Sequence, residues 1–317
     1  ISNNVANAGT DGYIRQQANF VENTSQYRGG FSMGTGVHVD SIERVYDRFL
    51  GNEVKVTTMS QSRAQSYNDL AMRLDGLLGD PDLNISTSIQ RFFDQLEAVN
   101  RDPTSTVNRE QLLAEGEVLQ SRFGQISTQI NGISNEIDNR MQSAVTSIND
   151  IAAGLAAIND RIGGAPGGAP NELLDEQERL LTQLAQQIDF TEIHQANGMT
   201  NIMIGSGQPL VLNDRSFELA VVRDEFDASK LQLAYNDGSG LQAISNRVSG
   251  GAIAGMLSFR NETLSAVGRE LGQIALALTE TFNAPHALRG DLNGQPRAHF
   301  FHAPSPTRRP SGRPTGP

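Results

Sequence analysis

The sequence of 317 residues contains no cysteine and no tryptophan, and aromatic residues make up only 6% of it. Without cysteine there are no disulfide staples, no thiolate metal sites and no thiol nucleophile. A low aromatic content leans away from a compact enzyme core and towards an extended helical molecule with a thin core. No stretch approaches the roughly 18 consecutive apolar residues that a membrane-spanning helix needs. Basic residues are also in deficit: 25 Lys and Arg stand against 36 Asp and Glu, a net charge of −11. That balance argues against nucleic acid and against an anionic membrane surface as partners. The first residues, Ile1-Ser2-Asn3-Asn4, lack an initiator Met and the basic and apolar regions of a secretory signal. They read as the middle of an element, so a fragment of a longer chain is expected.

What the sequence does have is helical periodicity. Tyr67, Leu70, Ala71, Leu74, Leu77 and Leu78 recur at steps of three and four before Gly79-Asp80-Pro81 ends the run. Ile89, Phe92, Phe93, Leu96 and Val99 mark a second helix, for which Ser86 is the expected N-cap and Asp102-Pro103 the stop. From near Ser105 a third helix carries Leu119, Phe123, Ile126, Ile130, Ile133 and Ile137 at heptad spacing. The step of four to Met141 is a stutter, after which Ala144, Ile148, Ile151, Leu155, Ile158 and Ile162 continue the seam. At 1.5 Å per residue this helix would be on the order of 85 Å long. The stretch from Gly163 to Pro170 breaks it, and Leu173, Leu174, Leu180, Leu181, Leu184 and Ile188 predict an antiparallel neighbour.

Elsewhere the period is shorter. Ile202-Met203-Ile204, Leu210-Val211-Leu212, Phe217-Leu219-Val221 and Leu231-Leu233-Tyr235 read as strands parted by Gly- and Asn-Asp-containing turns. After Gly250-Gly251 a helix returns with Leu264, Val267, Leu271, Ile274, Leu278 and Phe282 at heptad spacing. The expected fold class is mainly α with a β module (α+β): long heptad-patterned helices in an elongated bundle, with a small antiparallel β insertion. Residues 1–48 are read as the end of a helix plus a Gly-rich loop and strand connector, and 49–189 as an elongated helical domain. The β module is placed at 190–248, the returning helix at 249–284, and an irregular tail at 285–317, to which no function is assigned.

Three separated motifs resemble one family. The first is Asn3-Asn4-Val5-Ala6-Asn7, followed by Gly12-Tyr13 and Arg15-Gln16. The second runs from Gly36-Val37 through Ile42 and Arg44 to Tyr46-Asp47 and Phe49-Leu50. The third is Ser249-Gly250-Gly251, then Gly255-Met256-Leu257 and Phe259-Arg260, with Phe282-Asn283, His286 and Asp291-Leu292-Asn293-Gly294 later. This order resembles the bacterial flagellar axial proteins (rod, hook and hook-associated), and Gly-Tyr-x-Arg-Gln narrows it to the hook–filament junction members. At the end the family would have Gly and Asp where this chain has Arg297 and His299 before Phe300-Phe301.

The resemblance implies a structural component of the flagellum that joins hook to filament and is needed for filament assembly. It implies export through the flagellar type III apparatus to an extracellular position. The implied partners are copies of itself in a junction ring, the hook protein, the second junction protein and a flagellar export chaperone. It implies that most of the first terminal helix and the C-terminal region lie beyond this chain. The motif residues Asn3, Asn4, Ala6, Asn7, Gly12, Tyr13, Arg15, Gln16, Tyr46, Asp47, Phe49, Leu50, Gly250, Gly251, Phe259 and Arg260 become the candidates for assembly. The alternative is an extracellular helical coiled-coil binding or adhesion module that shares only the composition.

Sharper chemical readings find little footing. His38, His194, His286, His299 and His302 form no His-x-x-x-His pair, and no cofactor, metal ion or small-molecule substrate is expected. Gly29-Gly30 with Gly34 and Gly36 lacks the Lys-Ser/Thr of a phosphate loop and reads as a connector. Asp80/Asp82 and Glu115/Glu117 sit at helix ends or on solvated faces, and no nucleophile elbow is present. Arg289-Gly290-Asp291 is read as a chance tripeptide, and the chain is not expected to be an enzyme.

Overall fold

The computed structural model describes residues 2–10, 12–28, 31–166, 169–225, 227, 229–287 and 299–301. Gly29, Gly30, the 289–291 tripeptide, the 291–294 motif, Arg297 and His302 lie outside them. In chain order, helix α1 (Ser2–Ala6) precedes strands β1 (Gln16–Glu22), β2 (Gln26–Arg28), β3 (Phe31–Met33) and β4 (Val37–Arg44). Helices α2 (Arg48–Leu78), α3 (Ile85–Arg101), α4 (Thr106–Gly163) and α5 (Asn171–Gln187) follow. Then come β5 (Phe190–His194), β6 (Thr200–Ile204), β7 (Gln208–Leu212), β8 (Arg215–Ser216), β9 (Glu218–Arg223), β10 (Leu231–Asn236) and β11 (Leu241–Ala243). Helix α6 (Gly251–Ser258) leads through a π-helical stretch, Phe259–Leu264, into α7 (Ser265–Ala287).

These elements form two compact units, each drawn from two stretches of chain. Unit 1 comprises residues 1–75 and 132–261, and unit 2 comprises 76–131 and 262–317. The expected α+β class with long helices and small antiparallel sheets is what the structure has. The heptad residues of α4 face inwards in both units: Leu119, Ile126 and Ile130 are buried in unit 2 and Ile133, Ile137, Met141, Ile148, Leu155 and Ile162 in unit 1. The stutter at Ile137–Met141 leaves the helix unbroken, and both residues are fully buried. In unit 1 Ile162 packs with Leu173, and Gly154 faces Leu180 at 3.1 Å, so α5 runs antiparallel to α4 as expected. The returning heptad pattern is only partly used: Leu264 is buried, Leu278 and Phe282 pack on the unit 2 core, and Ile274 is 47% exposed.

Two local expectations are corrected. The cap of α3 is Asn84, whose side-chain oxygen accepts the Thr87 N–H, not Ser86. Asn84 stands three residues before Thr87, the spacing that an N-cap bond requires, while Ser86 already lies inside the first turn. The N-terminal connector also holds a longer ladder than loops with short strands: β1 pairs antiparallel with β4 over seven residue pairs. Asp40 bulges out between Val39 and Ser41, so Phe20↔Val39 and Ala18↔Ile42 share one face.

The β module divides into a four-stranded sheet, β5-β6-β7-β8, and a three-stranded sheet, β11-β10-β9. Both are fastened to α4 by asparagine side chains. Asn159 is fully buried. Its Nδ2 donates to the carbonyls of Thr200 and Asn213, and its Oδ1 accepts from the Thr200 N–H and from Gln177 Nε2. Ten residues earlier, Asn149 Nδ2 donates to the Leu219 carbonyl and Oδ1 accepts the Leu219 N–H, both at 2.9 Å. All four hydrogen-bonding capacities of Asn159 are therefore met inside the protein.

Replacing Asn159 by alanine strands the N–H and C=O of Thr200 and the carbonyl of Asn213. Asn159→Ala is expected to destabilise unit 1 by about 2–3 kcal/mol, measured as a shift of the urea midpoint. The same change at an exposed position of the same helix, Asn139→Ala, should shift it far less.

Candidate functional site

The candidate motif residues do not gather into one cleft; they fall into four places in unit 1. At the first, α1 is tied to β1. Asn4 Nδ2 donates to the Gln16 carbonyl at 2.8 Å and Asn4 Oδ1 accepts the Gln16 N–H at 2.9 Å and the Tyr13 hydroxyl at 2.7 Å. Asn7 Nδ2 donates back to the carbonyl and side-chain oxygen of Asn3. Gly12 adopts φ +79°, a conformation that favours glycine, beside the Arg179 side chain. Arg15 offers its carbonyl to the Val45 N–H, while Asn3, Ala6 and the Arg15 side chain are exposed.

The second place is the entry to α2. Asp47 caps the helix, accepting the N–H groups of Phe49 and Leu50 on one carboxylate oxygen. Tyr46 lies under the Arg44 guanidinium, 5.2 Å from its ring centroid. A Cβ at Gly51 would fall 2.0 Å from the Tyr46 hydroxyl, so only glycine leaves room for that ring. Phe49 and Leu50, by contrast, are 80% and 60% exposed.

The third place is the start of α6. Gly251 has φ +74°, and a Cβ there would stand 2.4 Å from the backbone of Gln187 and Ile188. Gly250 faces Asp189, whose carboxylate accepts the N–H and hydroxyl of Ser249. One turn on, a Cβ at Gly255 would meet the Arg63 carbonyl at 2.3 Å, so the backbones of α2 and α6 approach as closely as glycine allows. The fourth place is the π-helical stretch. Phe259 is fully buried with its ring edge-on to Tyr67, and Arg260 reaches Asp138 at 2.9 Å. Burial pulls the Arg260 pKa down, against the pull of Asp138.

Similarity to known proteins follows this pattern. The model for "Flagellar hook-associated protein FlgK helical domain" matches residues 71–301, more than half of the chain. The chain belongs to the FlgK hook-associated family. Flagellar hook-associated protein 1 of Salmonella typhimurium is 28% identical over 312 residues, covering 96% of this chain and 56% of that protein. The protein of the same name from Bacillus subtilis is 23% identical over 336 residues, covering 95% of this chain and 66% of its own. Among solved structures, the flagellar hook junction protein FlgK from Burkholderia pseudomallei superposes with a TM-score of 0.73 at 27% identity. That match covers 77% of this chain and 45% of the other. The chain therefore spans 56% of the Salmonella relative's length.

Many of the motif residues are engaged within the chain. Asn4, Tyr13, Gln16, Asp47, Gly250, Gly251, Phe259 and Arg260 make internal bonds or close contacts, while Ala6, Phe49 and Leu50 face solvent. No helix among the described residues is long and apolar enough to cross a membrane. No group of three His, Asp or Glu among the described residues is placed to hold a metal ion.

One cluster joining α2, α5 and β5 leaves no mark in the sequence pattern. Lys55, on α2, is 2% exposed, with Nζ 2.8 Å from Glu178 Oε1 on α5 and 2.9 Å from Glu192 Oε1 on β5. Burial works against the Lys55 charge, but the two carboxylates, Glu192 foremost, outweigh it and hold the pKa above the ordinary lysine value. Burial and the neighbouring Glu178 carboxylate push Tyr46 up to about 12. A lysine between Val54 and Val56 in a helix offers no sequence signal for this role, because its carboxylate partners lie 123 or more residues away.

Both groups bind their protons more tightly folded than unfolded. Their contribution is therefore complete below about pH 10 and is lost as pH rises through the folded values, for Tyr46 between 10 and about 12. Thermal melts of unit 1 should be flat from pH 7 to 9 and fall steeply from pH 10 to 12. Tyr46→Phe should shrink that alkaline fall, and an unchanged profile would contradict the assignment.

Proposed function

We propose that this chain serves as part of a structural junction component of the bacterial flagellum, joining hook to filament and required for filament assembly. The match of residues 71–301 to the FlgK helical domain carries this reading. The relatives named hook-associated protein 1 and the similar hook junction structure support it. They favour it over a coiled-coil adhesion module. The role is geometric: the protein positions neighbours and transforms no substrate. The proposed partners are copies of itself in a ring, the hook protein, the second junction protein and an export chaperone, with delivery through the flagellar type III apparatus to the cell exterior.

The surface of unit 1 offers apolar groups for such packing. On one face of the β1–β4 hairpin, Phe20, Val37, Val39 and Ile42 are 63%, 64%, 50% and 55% exposed. At the start of α2, Phe49, Leu50 and Val54 are 80%, 60% and 51% exposed. Exposed apolar groups concentrated on one face mark protein–protein contact sites.

Deleting the gene in its host should leave hooks without filaments and release flagellin into the medium; normal filaments would refute the junction role. A finer test replaces Phe49 and Leu50 together by aspartate. Both side chains are exposed and lie in the first turn of α2, where acidic residues are tolerated, so stability should change by less than about 1 kcal/mol. Filament number per cell should nevertheless drop sharply in a strain carrying only that variant.

A further inference from the structure

Unit 2 holds a receptacle whose occupant is a short piece of the same chain. Asn283, on α7, is 7% exposed. Its Nδ2 donates to the Phe301 carbonyl at 2.7 Å, and its Oδ1 accepts the N–H groups of Phe300 and Phe301, both at 3.0 Å. Two successive N–H groups turned towards one acceptor form a backbone nest, so the segment is held in a bent conformation. None of these bonds uses a side chain of the segment being held.

The rings are recognised separately. The Phe300 centroid lies 4.9 Å from Phe282 and 6.0 Å from Phe92, and Phe301 lies 5.5 Å from Phe92 and 5.7 Å from Phe282. These are the offset and edge-on separations at which aromatic rings attract. Gly116, buried in α4, supplies the space: a Cβ there would come within 3.0 Å of Phe300 Cε1 and 3.3 Å of Cζ. Glycine is among the least favourable residues in a helix interior, and here its missing methyl group makes room for a ring. The match to the FlgK helical domain ends at residue 301, the second residue of the pair. The filled receptacle thus lies at the end of the matched region.

An amide that reads backbone, aromatic walls and a glycine-made recess are the parts of a peptide-recognition site. We propose that Asn283, Phe92, Phe282 and Gly116 form a docking site specific for two consecutive phenylalanines, occupied in cis by Phe300-Phe301 as a latch. When the cis rings are removed, the site accepts the same dipeptide in trans.

The test uses the full chain carrying Phe300→Ala and Phe301→Ala, with a fluorescein-labelled acetyl-Gly-Phe-Phe-Gly amide as probe and fluorescence anisotropy as readout. The probe should bind this variant at least tenfold more tightly than the parent chain, where the site is filled. Adding Asn283→Ala should remove the gain, and a Gly-Ala-Ala-Gly probe should not bind. Equal binding to parent and variant, or no binding to a variant of unchanged helical content, overturns the proposal.

Hydrogen exchange on the otherwise unaltered chain decides the matter should the double variant lose helix. In the parent, the Phe300 and Phe301 amides should exchange at least tenfold more slowly than in a free peptide. Asn283→Asp, which keeps the accepting oxygen, should leave them slow, and Asn283→Ala should bring them to the free-peptide rate. Free-peptide exchange in the parent would overturn the latch.

Discussion

Backbone N–H and C=O groups that face a helix instead of a neighbouring strand have no ladder partner, and each one buried unpaired costs about 1–3 kcal/mol. This protein meets that constraint four times in the same way. A helix-borne asparagine pairs its amide with both polar groups of one residue: Asn4 with Gln16, Asn149 with Leu219, Asn159 with Thr200 and Asn283 with Phe301. The asparagine amide carries a donor and an acceptor much as a peptide unit does. It can therefore stand in for one residue of a missing strand. Apolar contact is non-directional, and with 6% aromatic residues there are few large shapes to fix alignment. The heptad seams bring the elements together; the amides set which residue meets which.

Buried charge acts in the same sense. Lys55 and Arg260 are cations nearly without solvent contact in a chain of net charge −11. Each is neutralised by carboxylates from another element, Glu178 and Glu192 for Lys55 and Asp138 for Arg260. Buried ion pairs add little net stability over apolar replacements, but removing one partner costs several kcal/mol. Misplacing an element therefore carries a steep penalty. The four-stranded sheet is held at two adjacent strands by different chemistry: β5 through Glu192 on Lys55, and β6 through Thr200 on Asn159. A slip of the sheet by one residue against the helices would break both.

Much of this architecture can be read directly from residue spacing. The α4 seam survives because Ile and Leu recur without interruption, and the strands from Ile202 to Tyr235 stand out between turn residues. Strand β1 does not: Gln16-Gln17-Ala18-Asn19-Phe20-Val21-Glu22 has no clean alternation, and the bulge at Asp40 hides which residues of β4 share a face. The fastening residues are less legible still. Asn149 and Asn159 look like ordinary polar positions on a helix, and the residues they bind are 70 and 41 positions away. The motif residues stand out in the sequence, but their contacts do not: Asp47 caps α2, Gly251 lets two backbones approach closely, and Asn4 pairs its amide with Gln16. Phe300-Phe301 follow a stretch without periodicity and so read as tail, although an aromatic pair in an aromatic-poor chain was itself a signal of packing.

The β1–β4 hairpin shows how fastening and presentation divide along one element. A two-stranded hairpin alone is marginal in water, so this one draws its order from its base. There Asn4 holds Gln16, Asn171 Nδ2 donates to the Ile42 carbonyl, and Arg44 Nε lies 2.7 Å from Asp175. Both side chains of that pair are largely buried, 10% and 15% exposed, and burial pushes the Asp175 carboxyl up in pKa despite that arginine. Away from the base the same face carries Phe20, Val39 and Val37, all at least half exposed. The bulge is what aligns them: without the extra residue, Val39 and Ile42 would point to opposite faces. Polar anchors are thus placed at one end and an aligned apolar stripe is left open at the other. Stability alone does not call for an aligned apolar stripe on the outside; packing of the kind proposed above would use it.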